Sequence, residues 1–373
     1  MGTPLSCQPP SAAPMAQNQK VAVVGASLGG LASANVLFQL GFTVHVYERG
    51  DSTFENRGHG LGFVDVGLWQ KLRGARMLRR GTQASRAQGA FYYGDLWRFL
   101  YEGLPDGTVR FGHMVEDLGD VMRPTIGDEA YDIVVVADGG WSVLRRYVTT
   151  SQPQYAGYVV YRCQIDADDV PGFADFGVFK NGIFDTIALP LTTDSGRNSI
   201  VCGAFIATPE AEVRTPEAGT SRHGAAEAKE HRGNSVPDWF LPLYREKFGA
   251  HARGELVRLM EAILAKGKVS PHPQFEYAAD AVTAGRVVVV GDAAHMASPR
   301  TAVGAHTAVL DAIALREAFA ATAGIDDALK LYSRDGVLRA QELFRRSREV
   351  SQDFVPAEGM TAIVSPATLV KAR

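Results

Sequence analysis

The sequence contains few cysteines, no long apolar run and little net charge. Its three cysteines, Cys7, Cys163 and Cys202, are widely spaced and form no C-x-x-C pair, which argues against a disulfide scaffold or a zinc site, so no metal is expected. No apolar run approaches the roughly 18 residues that a membrane-spanning helix needs. The formal net charge is −3 and no long basic run is present, so neither nucleic acid nor membrane is an expected partner.

What is present suits a soluble enzyme in a reducing compartment, and we expect a cytoplasmic protein. The chain has 373 residues, of which 46% are hydrophobic, enough for a large core and more than one domain. Residues 1–20 are rich in Pro, Ser, Ala and Gln and are predicted to form a flexible tail. They lack the apolar core and the arginines of targeting segments, although a second methionine, Met15, leaves the native start and organelle targeting open.

The first motif is a strand, a glycine turn and a helix. Val21–Val24 runs into Gly25-Ala26-Ser27-Leu28-Gly29-Gly30, followed by a helical pattern. A pyrophosphate site needs a tight turn at Gly25, accessible N–H groups at the helix start and a small residue at Gly30. Ser27 departs from G-x-G-x-x-G, but its side chain is small enough to let the backbone approach a ligand.

An alternating strand, Phe42–Tyr47, follows the helix and ends at Glu48. Glu48 stands about 20 residues beyond the glycine turn, where the ribose hydroxyls of a dinucleotide need an acceptor. An acidic residue there favours a free 2′-hydroxyl, so FAD or NAD fits better than NADP. The alternative is an ordinary surface carboxylate at a strand end.

Two further apolar strands end in acidic turns. Ile133–Ala137 precedes Asp138-Gly139, and Val287–Val290 precedes Gly291-Asp292. Continuous valine runs are typical of strands covered on both faces, and open α/β sheets bind ligands at the carboxyl ends of such strands. Either turn alone would more often be a helix cap or a simple turn. Three such strand ends in one chain are more specific.

Taken together, these motifs identify a family. The first is the dinucleotide fingerprint at Gly25–Gly30, and the second is D-G-x-x-S-x-x-R at Asp138–Arg145. The third is G-D-A-A-H at Gly291–His295, followed by Pro299 and Gly304. A chain with this set resembles the class A flavoprotein monooxygenases, the FAD-dependent aromatic hydroxylases, over about residues 20–350. Residues Tyr155–Arg162 look most like the branch that contains 2,6-dihydroxypyridine hydroxylase.

The resemblance implies FAD as the permanent cofactor and NADH or NADPH as a transient donor. The reduced flavin would react with O2 at C4a, and the resulting hydroperoxide would hydroxylate a small aromatic or heteroaromatic, phenol-like substrate. The choice between NADH and NADPH stays open, and a homodimer is implied by resemblance alone. Alternatives are a flavin-dependent reductase or non-redox cyclase on the same fold, or a non-catalytic flavin-binding protein.

The resemblance also assigns cofactor-binding positions. Gly25, Ser27 and Gly30 would face the FAD pyrophosphate, and Glu48, with the adjoining Arg49, would lie at the adenosine end.

The remaining assignments follow the later motifs. Asp138 and Gly139 would serve both FAD and the nicotinamide nucleotide, and Asp292 would bind the ribityl chain. Backbone N–H groups would stabilise the negative charge on the N1–C2=O edge of reduced flavin; these belong to Gly304, Ala305 and His306.

Several positions depart from the family pattern. Where relatives have P-x-x-G-x-G-x-N, this chain has Ala302 in place of a glycine and His306 in place of the asparagine. A flavin-facing arginine is missing near Tyr93, and Arg57 or Arg98 is a possible replacement. Residues 81–129 are short for the family, and residues 121–129 are predicted to be too few for the usual hairpin.

Candidate catalytic groups are Tyr161, on the first strand of the substrate domain, and His59, in a glycine-rich loop. Strand alternation sends Tyr161 and Arg162 to opposite faces, so at most one of them points to the flavin. A near-neutral intrinsic pKa favours His59 as an acid or base, but a single histidine is more often structural.

The predicted fold class is α/β, with a Rossmann-like FAD-binding domain of the glutathione-reductase type and an inserted antiparallel-sheet substrate domain. Alternating strands begin near Tyr155, and Asn181-Gly182 is a hairpin signal. The predicted divisions are a tail, a discontinuous FAD-binding domain, a substrate domain and a C-terminal helix with its tail: residues 1–20, 21–154 with 276–325, 155–275, and 326–373.

Overall fold

The structure is a computed structural model. It describes residues 18–52, 60–61, 64–72, 90–173, 177–180, 184–192, 196–210, 213, 241–242, 245–246, 255–266 and 269–354. The helices are α1 Leu28–Gln39, α2 Val66–Gln70, α3 Tyr93–Tyr101, α4 Glu255–Lys266, α5 Gly304–Ala321 and α6 Ile325–Phe354. The strands up to the middle of the chain are β1 Lys20–Val24, β2 Thr43–Glu48, β3 Gly60–Leu61, β4 Phe91–Tyr92, β5 Val109–Phe111, β6 Gly119–Asp120, β7 Arg123–Ile126, β8 Glu129–Ala130 and β9 Ile133–Val136. The later strands are β10 Gln154–Asp166, β11 Gly177–Lys180, β12 Phe184–Thr192, β13 Asn198–Ala207, β14 Ser270–Ala278, β15 Thr283–Ala284, β16 Val287–Val289 and β17 His295–Met296.

Valine-rich strands form the centre of a six-stranded sheet with the order β15-β16-β9-β1-β2-β5. All neighbours are parallel except the edge strand β15, which is antiparallel to β16. The valines of β1, β9 and β16 are fully or almost fully buried, as expected for strands covered on both faces. The predicted Rossmann-like sheet is confirmed.

A second six-stranded sheet, here called the substrate sheet, has the order β11-β12-β13-β10-β14-β17 and is antiparallel throughout. It confirms the predicted antiparallel sheet, although the predicted Asn181-Gly182 turn lies outside the described residues. β14 extends past residue 275, and β17 lies directly after the turn Gly291–Ala293. The two sheets are joined through this later segment, which lies beyond the predicted domain boundary at residue 275. That boundary stays a prediction.

Residues 119–130 form a small three-stranded antiparallel sheet, β6-β7-β8. The prediction that residues 121–129 are too few for a hairpin is wrong. The turns between paired strands hold two residues each, Val121-Met122 and Gly127-Asp128, and Gly127 has a φ of 58°. Asp120 Oδ1 accepts a hydrogen bond from Met122 N at 2.8 Å. Turns this tight leave room for short strands.

Helices α1 and α5 pack against each other and share one buried cluster with β1, β9 and β16. α6 crosses from this cluster to β14. This arrangement ties both sheets to the same pair of C-terminal helices. In the described part of the chain, no helix is both long and apolar enough to cross a membrane.

Candidate functional site

The parallel sheet brings the predicted cofactor residues to one edge. β1, β2, β9 and β16 run in the same direction, so the residues that follow them meet at their carboxyl ends. Gly25 N donates to Tyr47 O at 2.8 Å, and Ala137 N donates to Val24 O at 2.8 Å. These bonds hold the turns after β1 and β9 beside the end of β2.

Two glycines of the first turn are required by close backbone contacts. Gly25 has a φ of +105°, and a Cβ on it would lie 2.3 Å from Ala137 O. A Cβ on Gly30 would lie 1.9 Å from Gly25 O. Gly29 is different, because a Cβ there would meet Ala308 Cβ at 3.4 Å, an ordinary contact. The G-x-S-x-x-G spacing is therefore sterically required at its first and last positions.

Helix α3 supports the same turn, which the sequence did not predict. Tyr93 Oη and Ser27 Oγ are 2.8 Å apart, and Trp97 Nε1 donates to Ala26 O at 2.7 Å. Tyr93 and Trp97 are four residues apart and lie on one helix face. Tyr93 stands near the position where relatives were expected to carry a flavin-facing arginine. Of the two possible replacements, Arg98 forms an ion pair with Asp95, with 3.6 Å between Nη1 and Oδ1, and Arg57 lies outside the described residues.

Glu48 is buried, with 5% of its surface exposed, rather than an ordinary surface carboxylate. Its two oxygens accept from Ala26 N at 2.9 Å and from Gly50 N at 2.7 Å. A carboxylate oxygen has two lone-pair sites, so each can accept one further hydrogen bond from a ligand hydroxyl. The neighbouring Arg49 is exposed. The structure thus places Glu48 beside the glycine turn, and its role as a ribose acceptor stays a prediction.

Asp138 and Gly139 form the turn after β9. Gly139 has a φ of +92°, and a Cβ there would meet no atom within 4 Å. Asp138 Oδ2 accepts from Val143 N at 3.1 Å. Burial raises the pKa of Asp138, although the Ser142 hydroxyl and the Arg145 guanidinium oppose that shift. The space at Gly139 is open to a ligand.

The turn at Gly291-Asp292 leaves Asp292 exposed and is held by a residue that the motif analysis missed. Asp311, in α5, is 1% exposed. Its Oδ2 accepts from Gly291 N at 3.0 Å and lies 2.7 Å from His295 Nε2, while its Oδ1 accepts from Arg339 Nε at 3.2 Å. A charged residue among the apolar positions of a helix was the available sequence signal.

The pKa values of this buried pair move apart. Burial alone would raise the pKa of Asp311, but His295 and Arg339 outweigh it and hold the pKa below its usual value. Burial alone would lower the pKa of His295, but Asp311 outweighs it and raises the pKa. His295 is thus an ion-pair partner of the α5 carboxylate, which agrees with a structural role in the turn.

The N-termini of α1 and α5 are similar electrostatically. Neither has a side-chain cap or an acidic residue in its first turn. α2, by contrast, is capped by Asp65, and α6 begins with Asp326 and Asp327. Uncapped first-turn N–H groups favour a bound anion. The two helices meet where Gly29 faces Ala308, so two uncapped helix N-termini adjoin one edge of the sheet.

The segment before α5 contains the departures from the family pattern. Ala302 has a φ of +56°, and among the described non-glycine residues only Asn18 shares this left-handed region. The glycine expected there would adopt this conformation without strain. At Gly304 a Cβ would meet no atom within 4 Å, and Ala305 and His306 are partly exposed. The predicted flavin-facing helix start is therefore accessible.

One face of the substrate sheet lies toward this segment. Tyr158 Oη is 2.5 Å from Ser298 Oγ, and the Arg300 guanidinium lies 5.6 Å from the Phe205 ring centroid. Gly203 is two residues from Phe205 on the same face, and a Cβ there would lie 3.4 Å from Val160 Cγ1. This face is the candidate surface for an aromatic substrate.

Tyr161 belongs to the opposite face, because it is three residues from Tyr158 on one strand. It is buried, with 4% of its surface exposed. Its role as a catalytic group stays a prediction that this geometry does not favour. The other candidate, His59, lies outside the described residues.

The donor set fits FAD. The first turn of α1 offers N–H groups to a pyrophosphate, Glu48 offers acceptors to a ribose, and the start of α5 offers N–H groups to an anionic ring edge. Asp292 is exposed, and its role in binding the ribityl chain stays a prediction.

Comparison with known proteins agrees with this fit. Residues 260–347 match the family model described as "FAD binding domain". The chain is 28% identical to 3-amino-4-hydroxybenzoate 2-monooxygenase of Streptomyces cremeus, with 91% of this chain and 89% of the relative covered. It is 29% identical to 6-hydroxynicotinate 3-monooxygenase of Pseudomonas fluorescens, with 82% and 88% covered.

The fold agrees as well. The solved structure of 2,6-dihydroxypyridine-3-hydroxylase from Arthrobacter nicotinovorans matches with a TM-score of 0.71 at 20% identity, covering 94% of this chain and 99% of that one. The motifs, the two-sheet fold and these relatives agree: the chain carries a match to an FAD-binding domain and is similar to FAD-dependent aromatic hydroxylases among the flavoprotein monooxygenases.

Proposed function

We propose that this protein is an FAD-dependent monooxygenase that uses NADH or NADPH and O2 to hydroxylate a small aromatic or heteroaromatic, phenol-like compound. The observation that carries the proposal is the contact between two helices with uncapped N-termini, α1 and α5, together with the buried carboxylate of Glu48 beside the turn before α1. A flavin dinucleotide carries a negatively charged pyrophosphate and ribose and ribityl hydroxyl groups, which such donors and acceptors would bind. Relatives that act on hydroxybenzoate and hydroxynicotinate support the substrate class.

Bound FAD would supply the redox chemistry: it accepts electrons from the nicotinamide and activates oxygen. The chain's own residues bind and orient it. Gly25, Ser27 and Gly30 would hold the pyrophosphate, and Glu48 would hold the adenosine ribose, with Arg49 beside it. Asp292 would hold the ribityl chain.

The start of α5 would stabilise negative charge on the flavin. The N–H groups of Gly304, Ala305 and His306 lie in its first turn, where the helix dipole adds to the hydrogen bonds. The accessible turn at Asp138 and Gly139 is proposed to serve FAD and the approaching nicotinamide.

The substrate ring is proposed to lie between the flavin and the face of the substrate sheet that carries Phe205 and Gly203. Apolar groups on this face, including Val160 and Leu189, would exclude water from the reaction. The described residues on this face do not identify a general base: Tyr161 lies on the opposite face, and His59 lies outside the described residues.

The test is anaerobic reduction of the FAD-loaded protein by NADH and by NADPH, measured as the loss of flavin absorbance. 4-Hydroxybenzoate, 6-hydroxynicotinate and 2,6-dihydroxypyridine serve as ligands, and benzoate and nicotinate serve as matched controls without the hydroxyl. Faster reduction with a hydroxylated ring, together with its oxygenated product in air, is the expected result. A holoprotein that no donor reduces with any ring would contradict the proposal and favour a non-redox or non-catalytic protein.

A further inference from the structure

The segment between β17 and α5 is organised around Ser298. Its hydroxyl oxygen accepts from Arg300 N at 3.2 Å, and its carbonyl oxygen accepts from Thr301 N at 3.0 Å and from Thr301 Oγ1 at 2.7 Å. Ser298 is 1% exposed. These bonds shape the turn Pro299–Thr301, which leads to the N-terminus of α5. Any displacement of Ser298 would therefore move that helix start.

Two elements outside the segment hold Ser298 in place. From the substrate sheet, the hydroxyl of Tyr158 lies 2.5 Å from Ser298 Oγ. From α6, the hydroxyl of Ser347 accepts a hydrogen bond from Ser298 N at 2.6 Å. One residue thus connects the substrate sheet, the C-terminal helix and the flavin-facing helix start.

The orientation of the Ser347 hydroxyl is set by Glu276. Glu276, on β14, is 0% exposed, and its Oε1 accepts from Ser347 Oγ at 2.6 Å. Because that hydroxyl hydrogen points at Glu276, a lone pair of the same oxygen faces Ser298 N. Glu276 also accepts from Ser351 Oγ at 2.6 Å and from Arg348 at 3.0 Å, so the buried charge is fully compensated.

We propose that Tyr158, Ser347 and Glu276 are positioning residues that act through Ser298 to fix the flavin-facing start of α5 relative to the substrate sheet. Tyr158 is fully buried, so a ring bound against the sheet would reach it through Phe205, whose ring centroid lies 6.1 Å from that of Tyr158, and would act through Ser298 on the flavin environment. This inference rests on the proposed function only in placing FAD at the start of α5. It assigns a functional role to the C-terminal helix, far along the chain from the glycine turn.

The Tyr158 contact persists over the usual assay range. Burial raises the pKa of Tyr158 to about 12, although its hydrogen bond with Ser298 opposes that shift. The phenol therefore stays protonated, and loss of its hydroxyl would remove the neutral hydrogen bond with Ser298. Such a bond contributes about 1 kcal/mol, so FAD binding that depends on it should weaken about two- to tenfold.

The first experiment compares Tyr158→Phe and Ser347→Ala with Tyr155→Phe in the FAD-loaded protein. Tyr155 is on the same strand, but its hydroxyl donates to Thr208 O at 3.0 Å, away from Ser298. We expect Tyr158→Phe and Ser347→Ala to shift the visible flavin band and the flavin midpoint potential and to raise the FAD dissociation constant about two- to tenfold. Tyr155→Phe should match the wild type. An unchanged flavin spectrum and potential in both test variants would overturn the inference.

The second experiment measures coupling. Tyr158→Phe should reduce the acceleration of flavin reduction by an aromatic ligand and increase the hydrogen peroxide released per NAD(P)H oxidised. If Tyr158→Phe does not fold, Ser298→Ala replaces it and should give the same two changes. Wild-type protein that no aromatic ligand affects would count against the proposed function, whereas the spectrum and potential would still decide the positioning role. Equal peroxide release by wild type and variants would overturn the coupling.

Discussion

The glycine turn after β1 and the segment before α5 prepare two helix N-termini for negative charge, but they are built differently. The turn at Gly25–Gly30 is determined by backbone contacts, because a Cβ at either end would meet a backbone atom. The segment Ser298–Val303 is determined by side chains from distant elements, including Tyr158 and Ser347. The first site tolerates no added atom at its ends, whereas the second even accommodates an alanine in the left-handed region.

The two sites should respond differently to mutation. Backbone contacts cannot relax without moving strands, so changes in the glycine turn should be severe. Side-chain contacts can be removed one at a time, so changes around the second segment should be graded.

The largest effect is expected for Gly30→Ala. Its Cβ would lie 1.9 Å from Gly25 O, so α1 and the turn must separate, and we expect loss of FAD binding with destabilisation by about 3 kcal/mol or more. Gly29→Ala is the matched control, because its Cβ would meet Ala308 at 3.4 Å. FAD content after purification and urea unfolding measure both. Equal behaviour of the two variants would contradict the steric account.

Asp311→Asn should be next, with a loss of about 3 kcal/mol in the free energy of unfolding. The change leaves Arg339 and His295 without their buried carboxylate. Asp335→Asn is the control, because Asp335 pairs with Arg334 at the surface and should show no measurable change. Urea denaturation of both variants checks the expectation, and a normal midpoint for Asp311→Asn would refute it.

The same variant predicts a pH dependence. Because the pKa of Asp311 is lowered in the folded protein, its carboxylate adds to the free energy of unfolding above the pKa of an unfolded Asp, which is about 4. This contribution is lost as the pH falls through the folded pKa. Because the pKa of His295 is raised in the folded protein, its contribution to the free energy of unfolding is complete below the pKa of an unfolded His, which is about 6.5. This contribution is lost as the pH rises through the folded pKa. The stability difference between wild type and Asp311→Asn should therefore be widest between about pH 4 and about pH 6.5. A constant difference from pH 4 to 9 would exclude this pair as its source.

Asp292→Ala should weaken FAD binding while leaving the fold intact. Asp292 is exposed at its turn, and a hydrogen bond to a charged group contributes about 1.5–3 kcal/mol, or roughly tenfold to a hundredfold in the FAD dissociation constant. Asp106→Ala, another exposed position, is the control. Flavin fluorescence titration of the two variants tests the assignment, and normal FAD affinity in Asp292→Ala would remove Asp292 from the site.

The smallest effect, and one of opposite sign, is expected for Ala302→Gly. Relief of the left-handed conformation at φ +56° is worth about 1–2 kcal/mol, partly offset by the greater freedom of glycine in the unfolded chain. We expect a net gain of roughly 0.5–1 kcal/mol. Ala314→Gly, in the middle of α5, should instead lose about 1 kcal/mol. Thermal unfolding of both variants checks the signs, and destabilisation by Ala302→Gly would show that the alanine is not strained.

Local patterns predicted much of the fold and the cofactor edge. The valine runs and the turn residues after them predicted β1, β9 and β16, because a strand buried on both faces needs continuous apolar residues. The short β6-β7-β8 sheet was missed, since two-residue turns permit strands shorter than sequence patterns reveal. Tyr161 was selected by residue type, but strand pairing places Tyr158 on the face that meets the flavin segment.

The sequence by itself determined the glycine turn and its acidic partner Glu48, because short-range backbone geometry requires those residue types at those positions. Only the tertiary structure decided which distant side chains complete the site. Tyr93 reaches Ser27 from α3, Asp311 reaches Gly291 from α5, and Ser347 reaches Ser298 from α6. Such contacts join residues that share no local periodicity, so they arise only when the helices pack on the two sheets.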